Sequence, residues 1–334
     1  MTRPLPIILG PTAVGKTDLS LALARDYQAE IVGADSRQIY RWLDIGTAKP
    51  DSAQRRTVPH HLIDCVDPDV TINAAHFAQL AWGCIHAIAS RGRHPLVVGG
   101  SGLYLRALTD GLFTGPGADP HIRSALEADA QARGGQALHD RLAAVDPAAA
   151  SRIHPHDRVR TIRALEIYLL TGRPISEWQG QWQDPAWRTA FSFIGLRRDR
   201  EDLRRRITAR TESMLRMGLV EEVRTLLARG YSPTLPALSS VGYKEIVAYL
   251  QGQYDLGRAR ELIEHHTWRL AKRQMTWFRR IADVYWICLT GRSESEAIRM
   301  MQDTLAHGRP APSDLCPQGP PQIQGMPCTC PRPI

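Results

Sequence analysis

An apolar run, Pro6 to Leu9, leads straight into Gly10-Pro11-Thr12-Ala13-Val14-Gly15-Lys16-Thr17, and no other stretch restricts the fold as strongly. The spacing is G-x-x-x-x-G-K-[ST], with a strand-like segment before it and the helix-like KTDLSLALARDY after it. That context gives the octapeptide a physical role. Glycines let backbone N–H groups curl around an anion without Cβ clashes. The helix start adds partial positive charge, Lys16 adds a full charge, and the Thr17 hydroxyl suits Mg²⁺. The chain is therefore expected to hold a phosphate-bearing ligand on a strand–loop–helix unit.

The alternation continues beyond that unit. AEIVGAD reads as a second strand ending at Asp35, HLIDCV and HPLVVGG as the third and fourth, TAFSFIGL as the fifth and VYWICL as a further one. Helical segments lie between most of them, which implies an α/β class with a parallel sheet flanked by helices. Between Gly115 and Arg188 the alternation stops. GLFTGPGADP is a Gly/Pro-rich connector, and HIRSALEADAQA and RTIRALEIYLLTG read as helices ahead of EWQGQWQDPAW. Residues 116–188 are thus expected to form a small all-helical insertion in a core made of 1–115 and 189–308. Residues 309–334 are dense in proline and poor in large apolar residues, the composition of a disordered tail.

Asp35 follows the strand next after the phosphate loop. In a parallel sheet the strand C-termini share one edge, and ligands bind there, so Asp35 should face whatever the loop holds. A carboxylate there can take a proton from an acceptor nucleophile; alternatively it caps the next turn. No second apolar strand ends in an aspartate of the hydrolase type with a water-positioning residue. The pattern favours group transfer to a second substrate over hydrolysis.

The charge balance points to a polyanionic partner. Lys plus Arg number 42 against 34 Asp plus Glu, a net charge of +8. In REDLRRRITARTESMLRMG, Leu203, Ile207, Met214 and Met217 form one apolar helical stripe, and Arg210 falls on it. An arginine turned inward needs an anion, either an internal carboxylate or the phosphates of a substrate. In ELIEHHTWRLAKRQMTWFRRI, Arg269, Lys272, Arg273 and Arg280 lie close to one face, with Gln274, Thr276 and Trp277 nearby; such a row suits a phosphate backbone with stacking groups. Arg160 and Arg163, with Arg158, make a second basic row in the insertion.

Other features carry less. His60 and His61 point to opposite faces of a strand and make a poor ligand pair. Cys65, Cys84, Cys288, Cys316, Cys328 and Cys330 lack metal spacing and read as reduced, non-catalytic thiols. No run reaches the apolar length of a membrane span and no leader precedes the first strand, so the expected location is the cytoplasm.

Several motifs in fixed order extend the reading. GPTAVGKT, ADSRQIYRWLDIGTAKP, VVGGSGLYLRAL, RTIRALEIY, GLRRDREDLRRRI, VGYKEI and KRQMTWFRR run from Pro6 to about Ile287. Together they make the chain resemble the bacterial tRNA dimethylallyltransferases. The resemblance implies a P-loop kinase-like core with a helical insertion. It implies transfer of the dimethylallyl group from dimethylallyl diphosphate to the exocyclic amine of the adenosine just 3′ of the anticodon. The expected partners are that donor, the tRNA anticodon stem-loop and Mg²⁺ on Thr17, with no membrane and a monomer as the working unit.

By position, Asp35 resembles the family's general base, and Thr17 and Arg210 the residues that steady the leaving diphosphate, which residues 10–17 would cradle. Asp35, Ser36, Arg37 and Gln38 match a tRNA-contact segment. So do Val159, Arg160, Thr161, Ile162 and Arg163; Ser239, Ser240, Val241, Gly242, Tyr243 and Lys244; and Lys272, Arg273, Gln274, Met275, Thr276, Trp277, Phe278 and Arg279. Ser101 and Arg123 match two further contacts. Ser101 stands where threonine is commoner, and His156 and Val159 replace the usual Asn and Gln. The rival reading is a small-molecule or nucleotide kinase, which shares the loop and the strand-end aspartate but has no need of the basic helix. A nucleotide-dependent RNA-binding switch would also use the loop and the basic surfaces, and allyl transfer to free adenine nucleotides would use the loop and Asp35 alone.

Overall fold

The computed structural model describes residues 4–111, 115–179 and 190–306. The tail from 309, with Cys316, Cys328 and Cys330, lies outside the described residues, as does most of EWQGQWQDPAW. The chain divides into two compact units, the smaller within residues 110–185.

The larger unit is built on a six-stranded sheet whose strand pairings, among the described residues, are all parallel. Its strands are β1 (Leu5–Leu9), β2 (Ala29–Ala34), β3 (His60–His61), β4 (His94–Gly99), β5 (Phe191–Arg197) and β6 (Val284–Cys288), in the spatial order β3-β2-β4-β1-β5-β6. The central strands are short runs of Ile, Val and Leu because helices cover the sheet. Ile8, Ile31, Leu96, Ile194 and Ile287 form one core layer with Leu19 and Leu23 of α1 (Lys16–Asp26) and Met301 of the last helix. Helices α2 (Ser52–Thr57), α3 (Ala74–Ser90) and α4 (Gly102–Thr109) follow β2, β3 and β4 in turn, and α3 packs on β2, β4 and α4.

The third strand is shorter than HLIDCV suggests. Leu62 and Asp64 adopt left-handed backbone (φ 62° and 56°), which ends the ladder after His61. His60 and His61 part company as their strand position requires: His61 meets Glu30 Oε2 at 2.7 Å, and His60 meets the Val58 carbonyl at 2.7 Å.

The smaller unit contains α5 (Pro120–Val145), α6 (Pro147–Ala150), α7 (Arg158–Thr171) and α8 (Ile175–Gln179). Gly134 (φ 86°, ψ 160°) breaks α5 into two arms. Leu126, Leu138, Leu142, Leu165 and Ile167 make its separate core.

After β5 the larger unit continues with α9 (Arg200–Arg216), α10 (Leu219–Ala228), α11 (Tyr243–Leu250), α12 (Leu256–Phe278) and α13 (Glu294–Ala306). Leu203, Ile207 and Met214 of α9 are buried, whereas Met217 is 58% exposed. It caps the helix C-terminus, where the chain turns at Gly218 (φ 99°), so the apolar stripe ends one turn early.

Candidate active site

The loops that follow β1, β2, β4 and β5 meet at one edge of the sheet, because parallel strands end there together. Residues 10–16 form the phosphate loop. Ala13 (φ 63°) and Gly15 (φ 106°) take left-handed backbone, the alternation that curls amide groups into an anion-binding hollow. Two arginines hold the outer side of the loop. Arg206 Nε donates to the Ala13 carbonyl at 2.9 Å, and Arg198 Nε donates to the Val14 carbonyl at 2.8 Å. Arg198 is paired with Asp202 at 2.8 Å.

Lys16 begins α1 and folds back over the loop, donating to the Gly10 and Pro11 carbonyls at 2.8 Å each. Burial pushes its pKa down to about 8, against the attraction of Asp35 and with the help of Arg210. Burial also lowers Arg210, which Asp35 offsets and Arg206 reinforces. Arg210 Nη2 approaches the Thr47 carbonyl at 3.4 Å. Lys16, Asp35 and Arg210 thus share one electrostatic neighbourhood in which cations outnumber the carboxylate. Such a site favours an incoming anion. Among the described residues, the Thr17 hydroxyl makes no hydrogen bond.

Asp35 comes directly after β2. Its Oδ1 accepts the Arg37 N–H at 2.8 Å, an Asx turn, so the capping reading holds for that oxygen. Oδ2 has no hydrogen-bond partner among the described residues. The flanks of Asp35 are fixed by Ser101: its N–H donates to the Ala34 carbonyl (3.2 Å), and its Oγ accepts the Ser36 N–H (2.9 Å). Gly99 permits this approach, since a Cβ there would lie 2.1 Å from the Ala34 carbonyl oxygen.

The irregular segment after Asp35 is held from several sides. Gln38 Nε2 donates to the Thr47 and Ala48 carbonyls (3.2 Å each), and Arg37 donates to the Pro236 carbonyl (2.7 Å). Lys49, with its side chain only 2% exposed, pairs with Asp44 (2.5 Å) and Asp64 (2.6 Å). Glu222 of α10 accepts the successive N–H groups of Asp44, Ile45 and Gly46 at 2.7–3.1 Å, and the Tyr243 hydroxyl at 2.6 Å. Burial, then the Glu222 charge, raises the Tyr243 phenol well above its usual range.

The residues matched to RNA contacts separate by exposure. On α12, Lys272, Arg273, Thr276 and Arg279 are exposed, Met275 and Trp277 are half-buried, and Phe278 is buried. Gln274 binds Thr12 and Gly100, and Trp277 packs over Gly102. In the 239–244 stretch, Ser239 and Lys244 are exposed, Ser240 and Val241 are half-buried, and Gly242 and Tyr243 are buried. On α7, Val159 (79% exposed) and Arg160 reach solvent, while Thr161 and Ile162 are buried. Arg123 and Arg163 close on the buried Glu166, so their guanidinium groups are already engaged inside the helical unit. Any RNA surface on these stretches consists of their exposed members.

Sequence reasoning missed Arg198, Arg206 and Glu222. One signal was present: Asp202, Arg206 and Arg210 recur every four residues on α9, so Arg210 lies on a polar row beside the buried Leu203, Ile207, Thr211 and Met214 and not on their stripe as expected.

A family model described as IPP transferase matches residues 38–281. The chain belongs to the IPP transferase family. Its relatives include a tRNA dimethylallyltransferase of Geobacter sulfurreducens, 50% identical over 283 residues that cover 85% of this chain and 91% of the relative. Another, from Heliobacterium modesticaldum, is 46% identical over 304 residues, 90% of this chain and 94% of the relative. Among solved structures, a tRNA isopentenylpyrophosphate transferase of Bacillus halodurans is 39% identical with a TM-score of 0.67, covering 92% of this chain and 98% of that one. A eukaryotic dimethylallyltransferase acting on tRNA superposes with a TM-score of 0.75 at 26% identity, over 93% and 81% of the two chains. These relatives favour the transferase reading over the kinase one. The IPP transferase match begins at Gln38, so the phosphate loop and Asp35 are identified by their own motif and geometry.

Proposed function

We propose that this chain transfers the dimethylallyl group from dimethylallyl diphosphate to the exocyclic N6 amine of the adenosine 3′-adjacent to the anticodon, in tRNAs that read codons beginning with U. The observation that carries the reading is the arrangement of the amide-lined loop, Lys16 and Arg210 around Asp35 in an IPP transferase family member.

The amine is a weak nucleophile, so the barrier depends on departure of the leaving group. As the allylic C–O bond breaks, the loop amides, Lys16 and Arg210 stabilise charge growing on the diphosphate. The C–N bond forms, and the N6 proton passes to Oδ2 of Asp35, while Oδ1 stays on the Arg37 amide and fixes the carboxylate plane. Thr17 fits Mg²⁺ because its hydroxyl is uncommitted at the helix start, where it would hold the ion beside the diphosphate. Bound there, the ion would supply charge neutralisation on the leaving group. The exposed Lys272 and Arg273 of α12 and Arg279 at its C-terminal cap, with Lys244, would bind the RNA backbone. The target base must leave its stack to reach Asp35.

The test is direct. Purified protein is mixed with tRNA, Mg²⁺ and dimethylallyl diphosphate, and the anticodon-loop adenosine is weighed by mass spectrometry. A gain of five carbons and eight hydrogens on that nucleoside is expected. Transfer of the γ-phosphate of ATP to a small acceptor, without allyl transfer, would overturn the proposal in favour of the kinase.

A further inference from the structure

Strands β1 and β2 carry the two halves of the proposed chemistry, yet they are not neighbours. β4 lies between them, and its Gly99 pairs with both Leu9 and Ala34, so the strand ends are registered through β4 while the loops beyond it are not. One side chain ties those loops together. Gln274, on the inward face of α12, accepts the Thr12 N–H with Oε1 (2.8 Å) and donates through Nε2 to the Gly100 carbonyl (2.8 Å). A backbone donor at one end and a backbone acceptor at the other dictate which way the amide points. Gly100 leaves room for it, since a Cβ there would lie 2.7 Å from Nε2. The next residue, Ser101, holds the backbone on both sides of Asp35. The connection therefore runs from the phosphate loop through Gln274 to the β4 loop, and from Ser101 to Asp35.

We infer that Gln274 is a positioning residue for the transfer step: it sets the placement of the leaving-group loop relative to Asp35 and does not contact RNA. The inference rests on the proposed function. Placement errors of about 1 Å lower rates on the order of a hundredfold with little effect on binding. Loss of the brace should therefore appear in the chemical step.

The experiment compares wild type, Gln274→Ala and Gln274→Glu in single-turnover allyl transfer with saturating tRNA and donor, alongside separate tRNA and donor affinities. Gln274→Ala is expected to lose ~30–100-fold in rate while both affinities stay within ~3-fold. Gln274→Glu keeps the acceptor for Thr12 but sets a carboxylate oxygen against the Gly100 carbonyl. Its rate should recover relative to wild type as pH falls and the carboxyl gains a proton to donate. That profile is read even where Gln274→Ala folds poorly. Weakened tRNA binding with an unchanged rate would make Gln274 an RNA contact and overturn the inference. So would an unchanged rate in Gln274→Ala, or a Gln274→Glu rate that tracks wild type at every pH. A wild-type chain with no transfer at all would instead strike the proposed function, and this inference with it.

Discussion

In the helical unit, Arg123 and Arg163 both close on Glu166, whose side chain is fully buried, and Arg163 also donates to the Pro116 and Gly117 carbonyls. At the phosphate loop, Lys16, Arg206 and Arg210 donate to backbone carbonyls, and Asp35 is the carboxylate whose charge reaches both Lys16 and Arg210. The first cluster is neutralised from within. Burial works against the Glu166 carboxylate, and hydrogen bonds from Arg123 and Arg163 outweigh it, holding it below the usual carboxylate range. The second cluster is left with surplus positive charge, which burial disfavours. Guanidinium groups in one cluster are satisfied within the fold; in the other, on the proposed function, they serve an incoming anion. Composition cannot separate these roles, because both clusters are Arg-rich in sequence.

Removing the carboxylate of the second cluster should have the largest effect. Asp35→Ala is expected to lower turnover about 10²–10⁴-fold while tRNA affinity changes little, measured by steady-state kinetics and gel shift. A comparable loss in both would mean that Asp35 binds RNA and does not collect a proton. Next comes Arg210→Gln, with turnover down about 10²–10³-fold. Its melting temperature should be no lower than wild type, since the change removes a charge that burial disfavours. A marked loss of stability would place Arg210 with the neutralised arginines and erase the contrast.

Glu166→Gln probes the other side. Unfolding should become easier by about 2 kcal/mol, less than for a fully buried pair because both arginines reach solvent. The wild-type contribution has a pH sign: it is present above the ordinary carboxylate pKa and lost as pH falls through the depressed one. Denaturant titrations of both proteins across acid pH check it.

Part of this contrast is legible in the sequence, and the reasons are local. The phosphate loop is contiguous, and its glycines, lysine and threonine each have one physical task, so Gly10 to Thr17 can be read directly. Asp35 is legible because a parallel sheet brings its strand ends to one edge. Gln274 and Glu222 are not legible in these roles. The partners of Gln274 lie 262 and 174 residues away, and the backbone partners of Glu222 176 to 178. Most of those partners are backbone groups, which leave no mark on sequence. The early end of β3 is hidden for a similar reason: Leu62 and Asp64 adopt left-handed backbone without a glycine to announce it.

Two smaller effects concern Lys16 and the exposed face of α12. Lys16, with its pKa at about 8, is charged below that pH, and a diphosphate prefers the charged form. Diphosphate affinity should be full below about pH 8 and fall by up to about tenfold per unit above it, as measured by calorimetry. Lys16→Arg should flatten that dependence. The smallest effect belongs to the exposed helix face: Lys272→Ala should raise the tRNA dissociation constant ~3-fold and reduce the salt slope by about 1. An unchanged salt slope would remove α12 from the RNA surface.

The arginine side chains outside the phosphate loop also bear on how its guest arrives. With the Ala13 and Val14 carbonyls held by Arg206 and Arg198, a swing of either oxygen into the hollow would cost a hydrogen bond to a guanidinium. On the proposed function, the hollow is expected to keep its form when no donor is bound. What a newcomer must overcome is the stripping of its own water and the release of Lys16 from two carbonyls, not the folding of a loop around it.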